Sequence, residues 1–313
     1  LNLFYIYYIN CKKKSILENT MKLHDIKTRK LFNQIHINQI KDKKGFDKVK
    51  QSLNEKILKL DKDYFKDKIC ADLGCGSTGS GGLNLLNLGA KYCYLMDLKK
   101  HIAKPIKKNL SKFKNKFEVN VGSLEKLPYE KNFFDFILCQ GVIHHMDEDK
   151  KGFKEIYRTL KKGGKSFISV HGDGGIINDL TMKIIRPKYK SEPKFKSFID
   201  NILKGNNTKH LNFLRKNYDK DTNKLIKNLD FLFDADLLLS IKDRILAPKY
   251  KTYQEKDLRN QLKLIGFKNI YRIKKEVKFN NIRKFVAPLY HHYDNEISRM
   301  LYGDGIIQLV VQK

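Results

Sequence analysis

The chain has 313 residues, of which 41% are hydrophobic, and its formal net charge is +30 at pH 7. This length suits one large domain with additions or two small domains, and the apolar content is enough for a sizeable core. The five cysteines are odd in number and include no CxxC pair. They therefore exclude a disulfide framework, argue against a zinc site and predict a cytoplasmic protein with reduced thiols.

The positive charge permits two interpretations, a nucleic-acid-binding surface or the lysine-rich drift of an AT-rich genome. Nucleic-acid sites favour arginine, because its planar guanidinium donates two hydrogen bonds to one partner. Only nine of the 64 basic residues are arginine, and the lysines are spread along the whole chain. We therefore attribute the positive charge to the lysine-rich drift of an AT-rich genome, and a dedicated nucleic-acid-binding surface is the alternative.

The first 20 residues combine an apolar run, LNLFYIYYIN, with the basic sequence CKKK after it. A signal peptide carries its charge before the apolar run, and a membrane span needs about 20 apolar residues. Our hypothesis is that Met21 is the true start and that residues 1–20 are not native. A short interfacial anchor is the alternative, and no later run is long and apolar enough to predict a membrane span.

Residues 1–65 are predicted to be a helical extension, because apolar positions recur at helical spacing after residue 21. Strand and helix patterns then alternate through an α/β core at 66–173, which predicts a parallel sheet with right-handed crossovers. The predicted strands are 68–73, 92–96, 117–121, 134–139 and 165–170. The predicted helices are 83–88, 103–110 and 154–160, the last one stopped by KKGG.

The alternation breaks at HGDGG, and residues 174–250 are predicted to be a helical insertion that caps the core. Gly172, Gly174 and Gly175 are predicted to form the hinge of this cap, since glycine absorbs large backbone changes. Its predicted helices are 176–185, 195–203, 209–218, 223–231 and 235–241. Residues 251–313 return to the core, with a helix whose Thr252 and Glu255 have capping-box spacing and whose stop is Gly266. Two final strands are predicted at 270–277 and 306–311.

A glycine-rich turn, KICADLGCGSTGSGG, follows the first predicted strand at 68–82. Gly74, Gly76 and Gly79 fit the pattern GxGxxG, and Asp97 follows about 20 residues later, as in nucleotide-binding turns. Asp72, at the mouth of the turn, would repel a pyrophosphate but suits the amino group of S-adenosylmethionine (SAM). The absence of GKS or GKT excludes a Walker-type phosphate loop.

The sequence resembles the class I SAM-dependent methyltransferases, in particular the branch that includes the quinone-biosynthesis C-methylases and other small-molecule enzymes. The motifs that carry the resemblance are ADLGCGSTG, YLMDL, VNVGSLEKLPYEKNFFDFILCQGVIHHM and IYRTLKKGGKSFISV. They cover roughly residues 66–171, with a weaker match at 252–313. The resemblance implies a Rossmann-like, mostly parallel seven-stranded sheet of order 3-2-1-4-5-7-6, in which the last strand is antiparallel.

The resemblance also implies which residues bind SAM. The implied cofactor-binding residues are Asp72, Gly74, Cys75, Gly76, Gly79, Asp97, Leu98, Ser123, Leu124 and Cys139, with Asp97 on the ribose hydroxyls. Two departures stand out: Thr78 lengthens the glycine loop, and Ser123 replaces an aspartate that many relatives use for adenine. Either Ser123 accepts the adenine amino proton without charge, or backbone groups and packing around Leu124 hold the base.

Methyl transfer is an in-line displacement in which positioning supplies much of the catalysis, and a base is needed only for an acceptor proton of high pKa. In the family, the end of the fourth strand faces the methyl group. The catalytic candidates are therefore Gln140, His144 and His171, with pocket lining as the alternative for the histidines. A nucleophilic Cys139 is disfavoured because the proline of that motif is missing. No metal is predicted, because neither the pair His144 and His145 nor the pair His291 and His292 has carboxylates at ligand spacing.

The favoured function is methyl transfer to a small or lipid-like acceptor under the cap. The alternative is an enzyme that modifies RNA or protein through its basic surface, which would want clustered arginines. The insertion has only Arg186, Arg215 and Arg244, well separated. A SAM-binding protein without activity is a more distant possibility, and the sequence predicts neither the acceptor atom nor the oligomeric state.

Overall fold

A seven-stranded sheet of order β3-β2-β1-β4-β5-β7-β6 lies at the centre of the computed structural model. The structure describes residues 26–32, 53–98, 102–203, 242–274, 289 and 293–313. Strands β1 to β5 pair in parallel, and β7 is antiparallel to both β5 and β6. The strands are β1 Ile69–Leu73, β2 Tyr92–Asp97, β3 Phe117–Val121, β4 Phe134–Gln140, β5 Leu160–His171, β6 Lys268–Arg272 and β7 Ile306–Gln312. The predicted fold class and strand order are confirmed.

Helices cover the sheet and continue into the insertion. They are α1 Glu55–Leu58, α2 Ser80–Asn87, α3 Ala103–Asn109, α4 Asp149–Thr159, α5 Ile176–Asp179, α6 Arg186–Ser191, α7 Pro193–Leu203, α8 Glu255–Ile265 and α9 Glu296–Tyr302. A π-helical stretch, Leu180–Ile185, joins α5 to α6, and residues 26–32 and 242–246 are also helical. The helices predicted at 209–218, 223–231 and 235–241, like residues 1–20, lie outside the described residues.

The core has two layers because the central strands are buried on both faces, as parallel strands are. Along β4, Ile137 and Cys139 point into the layer that also holds Phe153 of α4. Phe136 and Leu138 point into the opposite layer, which holds the helices after β1 and β2. This alternation buries residues 136–139 of β4 and brings its last residue, Gln140, to the edge of the sheet where loops meet.

Two helices of the core begin several residues earlier than the sequence predicts. Helix α2 begins at Ser80 instead of 83, because Gly79 adopts a left-handed conformation (φ 62°) and caps it. Helix α4 begins at Asp149 instead of 154 and ends at Thr159, and KKGG belongs to β5. The extended conformation of Leu160 ends the helix, so KKGG is not its stop.

The capping box predicted for α8 is wrong. Thr252 Oγ1 donates to Asp173 Oδ1 at 2.9 Å, and the first amide of the helix, Glu255 N, donates to Asp304 Oδ2 at 2.8 Å. A carboxylate from a distant segment thus caps the amino terminus of α8, which is the role predicted for Thr252. Gly266 ends α8 in a left-handed conformation (φ 116°), as predicted.

The glycines at the start of the insertion are packed against another part of the backbone. Gly172 N donates to Gly305 O at 2.6 Å, and Asp304 N donates to Asp173 O at 2.9 Å. A Cβ on Gly175 would lie 2.2 Å from Gly303 N. The segment proposed as a hinge is therefore tightly held in this structure, and its glycines permit the close approach of two backbones.

Gly175→Ala is expected to destabilise the protein much more than Gly174→Ala, which serves as its control. Both residues have positive φ (84° and 78°), so both variants carry backbone strain of about 1–2 kcal/mol. A Cβ on Gly174 comes no closer than 3.7 Å to its neighbour, whereas one on Gly175 overlaps backbone atoms, which should cost about 1–3 kcal/mol more. Urea unfolding followed by circular dichroism measures the difference, and equal losses would contradict this packing.

Candidate active site

The glycine-rich turn after β1 is hydrogen-bonded to the end of β2. Gly74 N and Cys75 N both donate to Met96 O, at 2.7 and 3.1 Å. Gly76 N donates to Asp97 Oδ2 at 2.9 Å. Because the two strands are parallel and adjacent, their carboxyl ends deliver the turn and Asp97 to the same edge, where ligands of such sheets bind. The Asp97 side chain is only partly buried and can accept further hydrogen bonds.

Asp72 lies beneath this turn and is fully buried. Its Oδ2 accepts a hydrogen bond from Gly82 N, in the first turn of α2, at 2.9 Å. A Cβ on Gly81 would lie 2.5 Å from the same oxygen, so glycine at that position lets the helix approach the carboxylate. Asp72 thus stabilises the amino-terminal end of α2, where a negative charge is favourable. Its contact with the amino group of SAM stays a prediction.

Glycines of the motif differ in what surrounds them. A Cβ on Gly74 would lie 2.1 Å from Val142 Cγ2, and one on Gly79 would lie 2.8 Å from Leu95 Cδ2. Cys75 is buried as well. Gly79 therefore packs in the core, and Gly74 and Gly76 are the motif glycines at the edge beside Asp97.

The residues predicted for adenine lie next to this edge. Gly122 N donates to Asp97 O at 3.0 Å, which brings Ser123 beside the end of β2, where Leu98 also lies. Ser123 Oγ accepts a hydrogen bond from Glu125 N at 3.3 Å. Leu124 is buried in the core layer of α4. The structure thus brings together Asp97, Leu98 and Ser123, and leaves both interpretations of adenine binding open.

Open space lies at the end of β4. A Cβ on Gly141 (φ 74°) would meet no atom within 4 Å in the described part of the chain. Beside it, Gln140 Oε1 is buried and has no hydrogen-bond partner among the described residues. Cys139, one residue earlier, is buried in the core. A buried acceptor beside open space, with loop amides and the Asp97 carboxylate nearby, suits a polar ligand such as SAM.

Aromatic rings form a cluster just beyond Gln140. His144 and His145 form a 3-10 turn after β4, and His171 ends β5. The His144 ring centroid lies 4.1 Å from that of His145, 4.7 Å from that of His171 and 5.4 Å from that of Tyr250. The structure therefore brings together the predicted candidates His144 and His171, and adds Tyr250 from the end of the insertion.

The two candidate histidines are neutral in this environment. Burial lowers the pKa of His144 well below its usual range, and the nearby His145, His171 and Arg244 add to the effect. Burial, with the charge of Arg244, lowers the pKa of His171 to about 3. A base of such low pKa is poorly matched to proton transfer near pH 7. Hydrogen bonding and positioning are the roles that these imidazoles suit.

Asp243 is a residue of this cluster that the sequence did not reveal. Its Oδ1 lies 3.1 Å from His145 Nε2. The sequence has no carboxylate at ligand spacing from these histidines, but the fold brings that of Asp243 close to His145. No local pattern could have shown the contact, because the two residues belong to distant segments that only the insertion brings together.

Residues 249–253, here called the return segment, lead from the insertion back to the core. They are hydrogen-bonded to residues at the carboxyl ends of β4 and β5. Lys251 N donates to His144 O at 2.9 Å, and Tyr253 N donates to His171 O at 3.0 Å. The Tyr253 hydroxyl donates to Asp149 Oδ2 at 2.8 Å. These bonds hold Tyr250 over the histidine rings.

Arg186 joins the beginning of the insertion to its end. Its side chain is buried and donates to the carbonyl oxygens of Arg244 at 2.8 Å, Ile245 at 3.1 Å and Ala247 at 2.6 Å. Each of these carbonyls lies about 60 positions further along the chain, between residues 244 and 247. One guanidinium thus fixes the segment that carries Asp243 and leads into Tyr250.

Comparison with known proteins identifies the domain. Residues 71–168 match the family model described as "Methyltransferase domain". The matched segment contains the glycine turn, Asp97, Gln140 and both histidines of the 3-10 turn. Residues 71–168 are therefore a class I SAM-dependent methyltransferase domain, and SAM is its methyl donor.

Curated relatives match between a third and two fifths of the chain. Phosphoethanolamine N-methyltransferase 2 of Caenorhabditis elegans is 26% identical over 122 residues, which are 39% of this chain and 28% of that protein. A tRNA U34 carboxymethyltransferase of Campylobacter fetus is 34% identical over 105 residues, which are 33% of this chain and 36% of that protein. The chain thus spans about a third of the length of these relatives.

Among solved structures, a putative SAM-dependent methyltransferase from Methanococcus maripaludis is 18% identical, with a TM-score of 0.41. The match covers 92% of this chain and 90% of that one. Within the described residues, no helix has the length and apolar character needed to cross a membrane.

Proposed function

We propose that the chain transfers the methyl group of SAM to a small or lipid-like acceptor bound beyond the end of β4. The observation that carries this proposal is the closure of that edge by the insertion, which places Tyr250 over His144 and His171 beside the open space at Gly141. Residues 174–250 would thus act as a cap, since pockets for such molecules need enclosing apolar walls. Membership of the small-molecule branch is part of the same proposal.

Different residues at this edge of the sheet would bind SAM and orient the acceptor. Asp97 would accept the ribose hydroxyls, the amides of the glycine turn would bind the methionine end, and Leu98, Ser123 and Leu124 would border adenine. SAM, when bound, supplies an already activated methyl group. Gln140 Oε1 and the neutral imidazole of His171 would orient the acceptor by accepting its polar hydrogens, so that positioning supplies most of the catalysis.

An enzyme that modifies RNA is the second candidate, favoured by the charge of +30 and by the similarity to a tRNA carboxymethyltransferase. The described basic residues near the site argue against it. Arg186 is buried against carbonyls, and Lys249 and Lys251 form ion pairs with Asp147 and Asp149. Because these three side chains already contact carbonyl or carboxylate oxygens, they are poorly placed to bind phosphates.

The test is transfer of a radiolabelled methyl group from SAM into a fractionated cell extract. We expect label in the small-molecule or lipid fraction, and RNA binding that is weak and non-specific. Label confined to RNA, together with RNA affinity that falls steeply with salt, would contradict the proposal in favour of the second candidate.

A cytoplasmic location belongs to the proposal as well. It is supported by the four cysteines of the described part, Cys70, Cys75, Cys93 and Cys139, which are buried thiols.

A further inference from the structure

Three side chains with metal-binding atoms meet where the insertion returns to the core. His144 and His145 follow β4, and Asp243 lies in the helical residues 242–246. One ligand atom from each residue lies within 4.8 Å of the other two. We propose that this triad binds a divalent transition-metal ion, with zinc as the first candidate, and so ties the end of the insertion to the core.

The geometry at His145 suits a metal ligand. Its Nε2 lies 3.1 Å from Asp243 Oδ1. Two atoms that each bind one zinc ion at about 2.0–2.2 Å stand roughly 3 Å apart, so this pair needs little movement. On the other side of the ring, Nδ1 lies 3.1 Å from Lys249 O. When Nδ1 carries the ring proton and donates a hydrogen bond to that carbonyl, the lone pair is on Nε2, as is common for histidines that bind metals.

His144 supplies the second observation. Its side chain is 1% exposed, and neither ring nitrogen has a hydrogen-bond partner among the described residues. Buried polar atoms are nearly always paired, so an imidazole in this state calls for a missing partner. A metal ion shared with His145 and Asp243 would provide it.

The donor set indicates which ions fit. Two imidazoles and one carboxylate suit zinc and similar first-row ions, and three protein ligands leave one position open for water. Arg244, beside Asp243, is close enough to act on His144 and carries a charge that opposes a cation. The Asp243 carboxylate offsets that charge, which makes it the ligand whose loss should weaken binding most.

The test is calorimetric titration of the chelator-treated full-length protein with Zn²⁺. We expect one ion per chain, bound with a Kd in the micromolar range or tighter. His144→Ala and Asp243→Asn should each weaken binding by at least about tenfold. Asp147→Asn is the matched control, because it makes the same change at a carboxylate that is 46% exposed and lies outside the triad.

Absence of stoichiometric binding to the unmodified protein would overturn the proposal, as would equal affinity in all three variants. A thermal melt of the unmodified protein covers the case in which a variant does not fold. Saturating zinc should raise the Tm of this protein, because an ion that binds only the folded state stabilises it. An unchanged Tm would also overturn the proposal. Binding of S-adenosylhomocysteine to the same samples shows separately whether the cofactor site is intact.

Discussion

Replacing Asp97 with alanine should weaken the binding of S-adenosylhomocysteine by about 30-fold or more, equivalent to about 2 kcal/mol. The ribose hydroxyls would lose a charged acceptor, and Gly76 N would lose the oxygen that accepts its hydrogen bond at 2.9 Å. The variant therefore loses both a ligand contact and the order of the glycine turn. Isothermal titration calorimetry measures the effect directly.

Two further variants separate these contributions. Asp97→Asn keeps an acceptor for Gly76 N but removes the charge, so its loss of affinity should be smaller than that of Asp97→Ala. Glu118→Gln neutralises an exposed carboxylate on β3, away from the edge, and should leave affinity unchanged. Unchanged affinity in a folded Asp97→Ala protein would refute the assignment, and binding of NADH without SAM would refute the whole cofactor site.

Replacing residues 176–248 with a short linker should leave cofactor binding largely intact and abolish methyl transfer. The residues assigned to the cofactor lie before the insertion, whereas Asp243 and the segment fixed by Arg186 lie within it. Removing the insertion would open the edge beyond Gly141 to water and take away the walls that hold the acceptor. Calorimetry with S-adenosylhomocysteine and the labelled-methyl assay read the two effects separately.

A milder variant guards against failure of the shortened protein to fold. Arg186→Ala removes the buried guanidinium that donates to the carbonyls of residues 244–247. It should loosen the end of the insertion and lower turnover while cofactor affinity holds. Lys188→Ala, on the same helix and 46% exposed, is the control and should change neither. Retained activity in both Arg186→Ala and the shortened protein would contradict a cap and favour a role in stability or association.

Local patterns predicted the strands and helices of the core, and the family resemblance predicted their order in the sheet. The alternation of strands and helices, the GxGxxG turn and Asp97 all depend on residues close in sequence, and the structure places them together as expected. Boundaries were less accurate where distant atoms decide them. Helix α8 begins with an amide bound to Asp304, 49 positions away, which a search for a capping box near Thr252 cannot detect.

The far side of the candidate site could not be predicted for the same reason. His145 contacts Lys249 across 104 positions, and Arg186 contacts Arg244 across 58. Such contacts depend on how the insertion folds back, and its helical periodicity shows only that apolar faces need partners. The glycines at 172–175 resembled a hinge by composition alone, and only the packing of Gly303 against Gly175 gives the physical reason for glycine there.

Alongside its side-chain contacts, the return segment forms two main-chain hydrogen bonds to the core, from Lys251 N to His144 O and from Tyr253 N to His171 O. Hydrogen bonds of this kind do not depend on which side chain a position carries. Positions 171 and 250 can therefore change identity while the backbone around the pocket keeps its course. Such a lining can be substituted residue by residue, in evolution or in the laboratory, to accept a new molecule without rebuilding the scaffold that presents it.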